Sequence, residues 1–157
     1  MSDKPTKRSG KSRRTSRELA LKGIYQIMMS GNGLRETISD LEEDEDYAQA
    51  DAGFFHELIT GVMENLADLD TRISPLLDRE IKELSPIEHA ILCISGFELI
   101  HDLSIPYRVA INEGVELAKR YGGTDGYKFV NGVLDKLAAE ARPGEFTPRR
   151  GPSGKAS

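Results

Sequence analysis

The segment from 86 to 101 constrains the fold of this chain more than any other. It is announced by Ser85-Pro86-Ile87-Glu88, a serine at the N-cap, a proline at the first helical position and a glutamate at the capping-box position. Behind that start, Ile87, Ala90, Ile91, Leu92, Ile94, Phe97, Leu99 and Ile100 place apolar groups on most sides of the helix. A helix that is apolar nearly all round cannot lie on a surface and needs neighbours on several sides. The rest of the chain must supply them.

Helical spacing recurs on both sides of this segment. Leu19, Leu21, Ile24, Tyr25, Ile27 and Met28 predict a helix over about 15–30, stopped by Gly31-Asn32-Gly33. A short helix is expected over 34–41, followed by the acidic run EEDEDYAQAD, read as a solvated loop. Phe54, Phe55, Leu58, Ile59, Val62, Met63 and Leu66 define another helix. Leu69, Ile73, Leu76 and Leu77 continue the pattern into a further helix or bend, with a break at Pro75. Ser104-Ile105-Pro106 opens a helix that ends at Gly122-Gly123, with Lys119 and Arg120 favourably placed in its last turn. Phe129, Val130, Val133, Leu134 and Leu137 mark a last helix over about 125–141, closed by Pro143-Gly144. No strand-like alternation bounded by turns interrupts this pattern. The expectation is an all-α bundle of about seven helices, with a disordered basic arm at 1–12, one folded domain at 13–142 and a disordered tail at 143–157.

The formal net charge of −5 conceals a strong asymmetry. Seven bases (Lys4, Lys7, Arg8, Lys11, Arg13, Arg14 and Arg17) face one acid within 1–17, and four bases face Glu145 within 142–157, so the region between carries −14. A basic arm is the electrostatic footprint of a polyanion partner, although a flexible solubilising tail has the same composition. Arg13, Arg14 and Arg17 fall at or near a helix N-terminus, where the macrodipole disfavours cations. A bound polyanion would relieve that conflict by pairing with both the arginines and the free N–H groups.

Signatures of catalysis are missing. His56, His89 and His101 do not pair with one another at i,i+4, so no metal site is expected. His89 and His101, twelve residues apart on one helix, should lie about 18 Å from each other. No nucleophile elbow, P-loop or dinucleotide fingerprint is present, and Gly122-Gly123 follows a helix rather than a strand. Cys93, the single cysteine, sits in an apolar run and reads as a small buried hydrophobe. One cysteine excludes a disulfide framework and suits a reducing cytosol. There is neither a secretory h-region nor an apolar stretch near the ~20 residues of a membrane helix.

Two segments carry a family resemblance. Ile105-Pro106-Tyr107-Arg108-Val109-Ala110-Ile111-Asn112-Glu113 runs on through Gly114-Val115-Glu116-Leu117-Ala118-Lys119, and Lys128-Phe129-Val130-Asn131-Gly132-Val133-Leu134-Asp135 follows. Together they resemble the C-terminal half of the NusB transcription antitermination factors. Arg13-Arg14, Arg17-Glu18, Ala20 and Tyr25 resemble that family's opening, so the likeness spans about residues 13–142. It implies a seven-helix, all-α fold in two subdomains and no enzymatic activity or cofactor. It also implies binding of the boxA element of rRNA leader transcripts together with the ribosomal protein NusE, in a complex on RNA polymerase that resists termination.

Carried over position by position, the resemblance implies RNA contact by Arg13, Arg14 and Arg17, and by Asp125, Tyr127, Lys128 and Phe129 at the start of the last helix. Lysine and arginine pair with phosphate, and an aromatic ring stacks on an unstacked base. Phe129 also has the spacing of a core residue, and both roles stay open. Tyr25 and Glu88 match positions that face NusE, while Glu88 has its local explanation in the capping box. Thr15 and Ser16 stand where the family often has further basic or alanine residues, which thins the basic cluster. Family members include dimers, and no self-association motif decides whether this chain forms a homodimer. Two other readings compete: a protein-interaction module without RNA, and a detached equivalent of the N-terminal domain of rRNA cytosine methyltransferases. The second needs a cofactor domain and catalytic cysteine downstream, whereas this chain ends at Ser157.

Overall fold

The computed structural model describes residues 11–147. Lys4, Lys7 and Arg8 of the basic arm, and residues 148–157 of the C-terminal segment, lie outside the described residues. The described residues form seven α-helices: α1 (Arg13–Ser30), α2 (Leu34–Glu42), α3 (Ala52–Glu64), α4 (Leu66–Ile73), α5 (Pro86–His101), α6 (Tyr107–Tyr121) and α7 (Gly126–Ala141). Short 3₁₀ turns occupy Glu45–Gln49, Ser74–Leu76 and Ile81–Glu83. Among the described residues there is no strand, only an isolated bridge between Ser12 and Ala50.

α5 is the axis of the molecule. It packs against α1, α3, α4, α6 and α7, and Ala90, Ile91, Leu92, Cys93, Ile94 and Leu99 are all fully buried. Each large aliphatic side chain removed from water in this way stabilises the fold by about 1.5–3 kcal/mol. α1 packs with α2 and α3, and α6 with α7, and Phe55, Leu58, Ile59 and Leu69 share one core with Val130, Leu134 and Leu137.

Helix ends follow from local chemistry. Gly31 adopts the left-handed conformation (φ 77°) that closes α1, donating its N–H to Ile27 O at 2.8 Å. Ser85 caps α5 by accepting from Glu88 N at 3.1 Å. The reciprocal capping box forms one turn earlier, between Glu80 and Glu83. The acidic run departs from the expected solvated loop. The Asp44 carboxylate caps a 3₁₀ turn through Asp46 N and takes Lys22 Nζ at 2.6 Å, which delivers Ala50 to its bridge with Ser12.

Two buried charge systems hold elements of the bundle together, one between α1 and α5 and one between α5 and the end of α7. Arg17 on α1 makes a bidentate pair with Glu98 on α5 at 2.8 and 2.9 Å. Burial pushes the Glu98 carboxyl above its ordinary value, against the pull of Arg17. Arg142, just past α7, is buried, and its guanidinium donates to Leu99 O (2.7 Å), Glu98 O, Asp102 O and Ile105 O. Those carbonyls belong to the end of α5 and the turn beyond it, where a helix leaves its acceptors without partners.

Residues 143–147 also depart from the expected tail. Glu145 accepts from Tyr107 N at 3.0 Å, supplying the first turn of α6 with the side-chain cap that Pro106 cannot provide. Phe146 packs on the Tyr107 ring, and the Tyr107 hydroxyl accepts from Thr147 N. These contacts give the segment a fixed place despite its composition.

Candidate nucleic-acid interface

The start of α1 is anchored before its arginines are aimed. Ser12 accepts from Thr15 N as the N-cap and donates its own N–H to Gln49 O at 2.7 Å. Ser16 is fully buried, and its hydroxyl accepts from Asp51 N at 3.0 Å. A basic residue at position 16 would have no water to reach, so this departure from the family pattern is structural. Lys11 donates to Ala48 O and lies at the same edge.

The three arginines have different fates. Arg13 is exposed, with its guanidinium 4.4 Å from the centre of the Phe54 ring and 3.8 Å from Asp51. Arg14 is exposed and makes a bidentate pair with Glu113 of α6 at 3.1 and 2.9 Å, which raises its pKa further. Arg17 corrects the expectation of RNA contact. It is only 4% exposed and committed to Glu98, so it is a core residue and not a group free for phosphate.

α6 joins Arg14 to the start of α7. Arg14, Glu18, Glu113, Glu116, Lys119 and Arg120 line one cleft. Asn112, Val115, Lys119, Tyr127, Lys128 and Asn131 line a second, of about 290 Å³. Lys119 belongs to both, so the two form one continuous surface. Its Nζ lies 5.2 Å from the centre of the Tyr127 ring, and Lys128 lies 6.0 Å from the same ring. Asp125 is exposed beside Lys128 at 3.6 Å.

This surface is balanced rather than strongly basic. Arg120 pairs with Glu18 at 2.9 Å, and Lys119 lies 3.8 Å from Glu116. Exposed pairs of this kind are worth about 0–1 kcal/mol, so an incoming phosphate can replace the carboxylate at little cost. The acids meanwhile lower affinity for arbitrary polyanions.

Phe129 leaves the cleft. The half-buried ring packs against the core, and the Arg79 guanidinium sits 4.3 Å above it. The expected composite is thus split, with Tyr127 and Lys128 facing α6 and Phe129 facing the loop before α5. Glu88 lies near that second side, its carboxylate only 2.6 Å from where a Cβ on Gly126 would sit. Any side chain at 126 would displace it. Tyr25 is half-buried and lines an apolar cavity of about 340 Å³ with Leu21, Lys22, Asp44, Ile87 and Tyr121. Ile87, adjacent to Glu88, links the two partner-facing candidates.

Lys119, Arg120 and Asn112 were missed as site residues. The first two have a sufficient local explanation at a helix C-terminus, and their spacing from Arg14 exists only in three dimensions. Outside this surface the structure brings His89, Cys93 and Asp70 together. The i,i+4 relation of His89 to Cys93 is the sequence signal for this cluster, which the spacing of histidines alone does not carry. No helix of the described residues is long and apolar enough to cross a membrane.

Seven helices around one buried axis, with paired charges and an aromatic ring on an open cleft, define a helical binding protein. Comparison with known proteins makes the class specific. The NusB family matches residues 14–139. The transcription antitermination protein NusB of Methylobacillus flagellatus is 62% identical over 143 residues, covering 91% of this chain and 93% of that protein. Its counterpart in Thiobacillus denitrificans is 51% identical over 135 residues, covering 86% and 93%. Among solved structures, T. maritima NusB superposes with a TM-score of 0.75 at 33% identity, covering 86% of this chain and 96% of that one. A chain of a crystal structure of the antitermination factors NusB and NusE in complex with dsRNA gives 0.75 at 25% identity, covering 82% of this chain and 96% of that one. The chain belongs to the NusB family; it is a transcription antitermination factor and not an enzyme.

Proposed function

We propose that this protein acts in the cytoplasm by binding the boxA RNA of rRNA leader transcripts jointly with the ribosomal protein NusE, and that the pair supports assembly of the antitermination complex on RNA polymerase. The observation that carries the RNA assignment is the continuity of Arg14, Lys119, Tyr127 and Lys128 across α1, α6 and α7. Cations spaced along a cleft suit a phosphate backbone, and Tyr127 offers a face for one base. Arg13 and Lys11 extend the cationic edge, and Asp125 can accept from a base amino group. Phe129, with Arg79 over its ring, is assigned a supporting role beneath the start of α7. For NusE, the apolar cavity at Tyr25, continued through Ile87 to Glu88, supports docking on the side of α1 away from Arg13.

The solved relative with NusE contains double-stranded RNA, so the test must separate strand forms. A gel-shift with single-stranded boxA RNA, with and without NusE, is competed by a duplex of the same sequence. The expected result is tighter binding with NusE and preferential competition by the single strand. Equal competition by the duplex would overturn the stacking role given to Tyr127.

A further inference from the structure

His89 and Cys93 stand one turn apart on α5, and Asp70 reaches them from α4. Asp70 Oδ1 lies 2.7 Å from His89 Nε2 and 3.7 Å from Cys93 Sγ, and the three donor atoms all lie within 4.8 Å of one another. We propose that Asp70, His89 and Cys93 form a binding site for a divalent transition-metal ion of the zinc type, on the side of the molecule where α4 meets α5.

Four observations carry the assignment. An imidazole, a thiol and a carboxylate converge from two helices that the core holds rigidly together. Two ligands at i,i+4 on one helix face present their donor atoms to one point, the arrangement helical zinc sites use. Zinc bonds of about 2.0–2.3 Å at tetrahedral angles separate neighbouring donors by roughly 3.3–3.7 Å. Cys93 and Asp70 already meet that separation, and the His89 contact needs to open by about half an ångström. Lastly, the site is open on one side. The Asp70 and His89 side chains are 30% and 17% exposed, whereas Cys93 forms the floor. Three protein donors below an open position leave room for a water as fourth ligand.

The chemistry of binding is a proton exchange. The metal ion forms bonds to Cys93 Sγ, His89 Nε2 and Asp70 Oδ1. The thiol proton leaves to solvent together with any proton on Nε2, and no electron changes hands. As a free thiol Cys93 is well protected, because burial, reinforced by Asp70, holds its pKa well above the ordinary value. A bound metal removes that proton outright. The structural alternative is a polar contact that merely pins α4 to α5, and it makes the opposite forecast for metal binding.

The test uses cobalt(II) as a spectroscopic probe on the full chain in a reductant that does not bind metals. The chain contains one cysteine, so a thiolate-to-cobalt charge-transfer band can arise only from Cys93. The expected result is such a band in the wild type, bleached by an equivalent of zinc. Cys93→Ser should remove the band, and His89→Gln should weaken apparent cobalt affinity at least about tenfold. Because Cys93 is fully buried, the more exposed Asp70→Asn serves as a second variant that retains the wild-type circular dichroism, with a similar loss of affinity. Absence of the band in the wild type would overturn the proposal. Unchanged cobalt affinity in both His89→Gln and Asp70→Asn would overturn it equally.

Discussion

Replacing Arg17 by methionine separates a structural arginine from an RNA-binding one. The wild-type guanidinium and the Glu98 carboxylate are 5% and 1% exposed and joined by two hydrogen bonds. Removing one partner leaves an uncompensated buried charge, which costs about 3–5 kcal/mol. For a chain of this size each kcal/mol moves Tm by about 2–4 °C, so Arg17→Met should lower Tm on the order of 10 °C. Without the arginine, burial raises the Glu98 pKa further. A carboxyl whose folded pKa exceeds its unfolded value loses stability as pH rises through that window, so the deficit should be larger at pH 8 than at pH 5. The double variant Arg17→Met/Glu98→Leu removes both charges and should recover most of the lost stability. Denaturant unfolding at the two pH values measures all of this, and a salt series with boxA RNA measures the other side. The folded Arg17→Met protein should keep the wild-type slope of log affinity against log salt. A variant with unchanged Tm and a slope reduced by about 0.7 would refute the reasoning, since that is the signature of a lost single-strand phosphate contact.

Arg142→Lys should destabilise by roughly 3–5 kcal/mol, read as a fall in Tm, because an ammonium cannot reproduce the planar fork that serves four carbonyls. Tyr127→Ala should weaken boxA binding by about 1–3 kcal/mol with the salt slope unchanged, as measured by fluorescence titration; a changed slope would assign the ring's effect to charge. Glu116→Gln should strengthen RNA binding several-fold at low salt by removing a repelling carboxylate beside Lys119, about 1 kcal/mol at most for exposed charges. Hydrogen bonds from Lys22 and Asp46 N hold the Asp44 pKa below its ordinary value. Its stabilising effect is therefore present above the unfolded pKa and lost as pH falls through the depressed one. Acid unfolding of Asp44→Asn should accordingly show a shallower pH dependence.

Most of the architecture was legible because α5 is locally overdetermined. Ser85 and Pro86 mark its start, and an apolar surface on most sides dictates burial whatever surrounds it. Arg17 was legible too, in hindsight of spacing alone. It precedes Ala20 by three residues and Ile24 by seven, and both of those are fully buried. Helical geometry therefore sets it on the core face, where a charge requires a partner. Glu98, seven residues after Ile91 on the most apolar helix, offers that partner.

Other features depend on tertiary proximity that one-dimensional spacing does not carry. Arg142 acquires its role from carbonyls about forty residues earlier in the chain, which no local pattern announces. Tyr127 and Phe129 sit two apart on α7, so helical geometry sends them to different sides, and only the neighbours decide what each side becomes. Lys119 joins the Arg14 cleft to the Tyr127 cleft because α6 packs on α7 and reaches α1 through the Arg14–Glu113 and Arg120–Glu18 pairs.

The central claim is that Arg14, Lys119 and Lys128 form one phosphate-tracking surface. Its most direct test is the affinity of the protein–NusE pair for single-stranded boxA RNA across a salt series, for the wild type and for the triple alanine variant at these positions. The predicted result is a linear decline whose slope falls by about 2 in the variant, roughly 0.7 for each cation removed. An unchanged slope with unchanged affinity would contradict it and move the RNA to another face of the molecule.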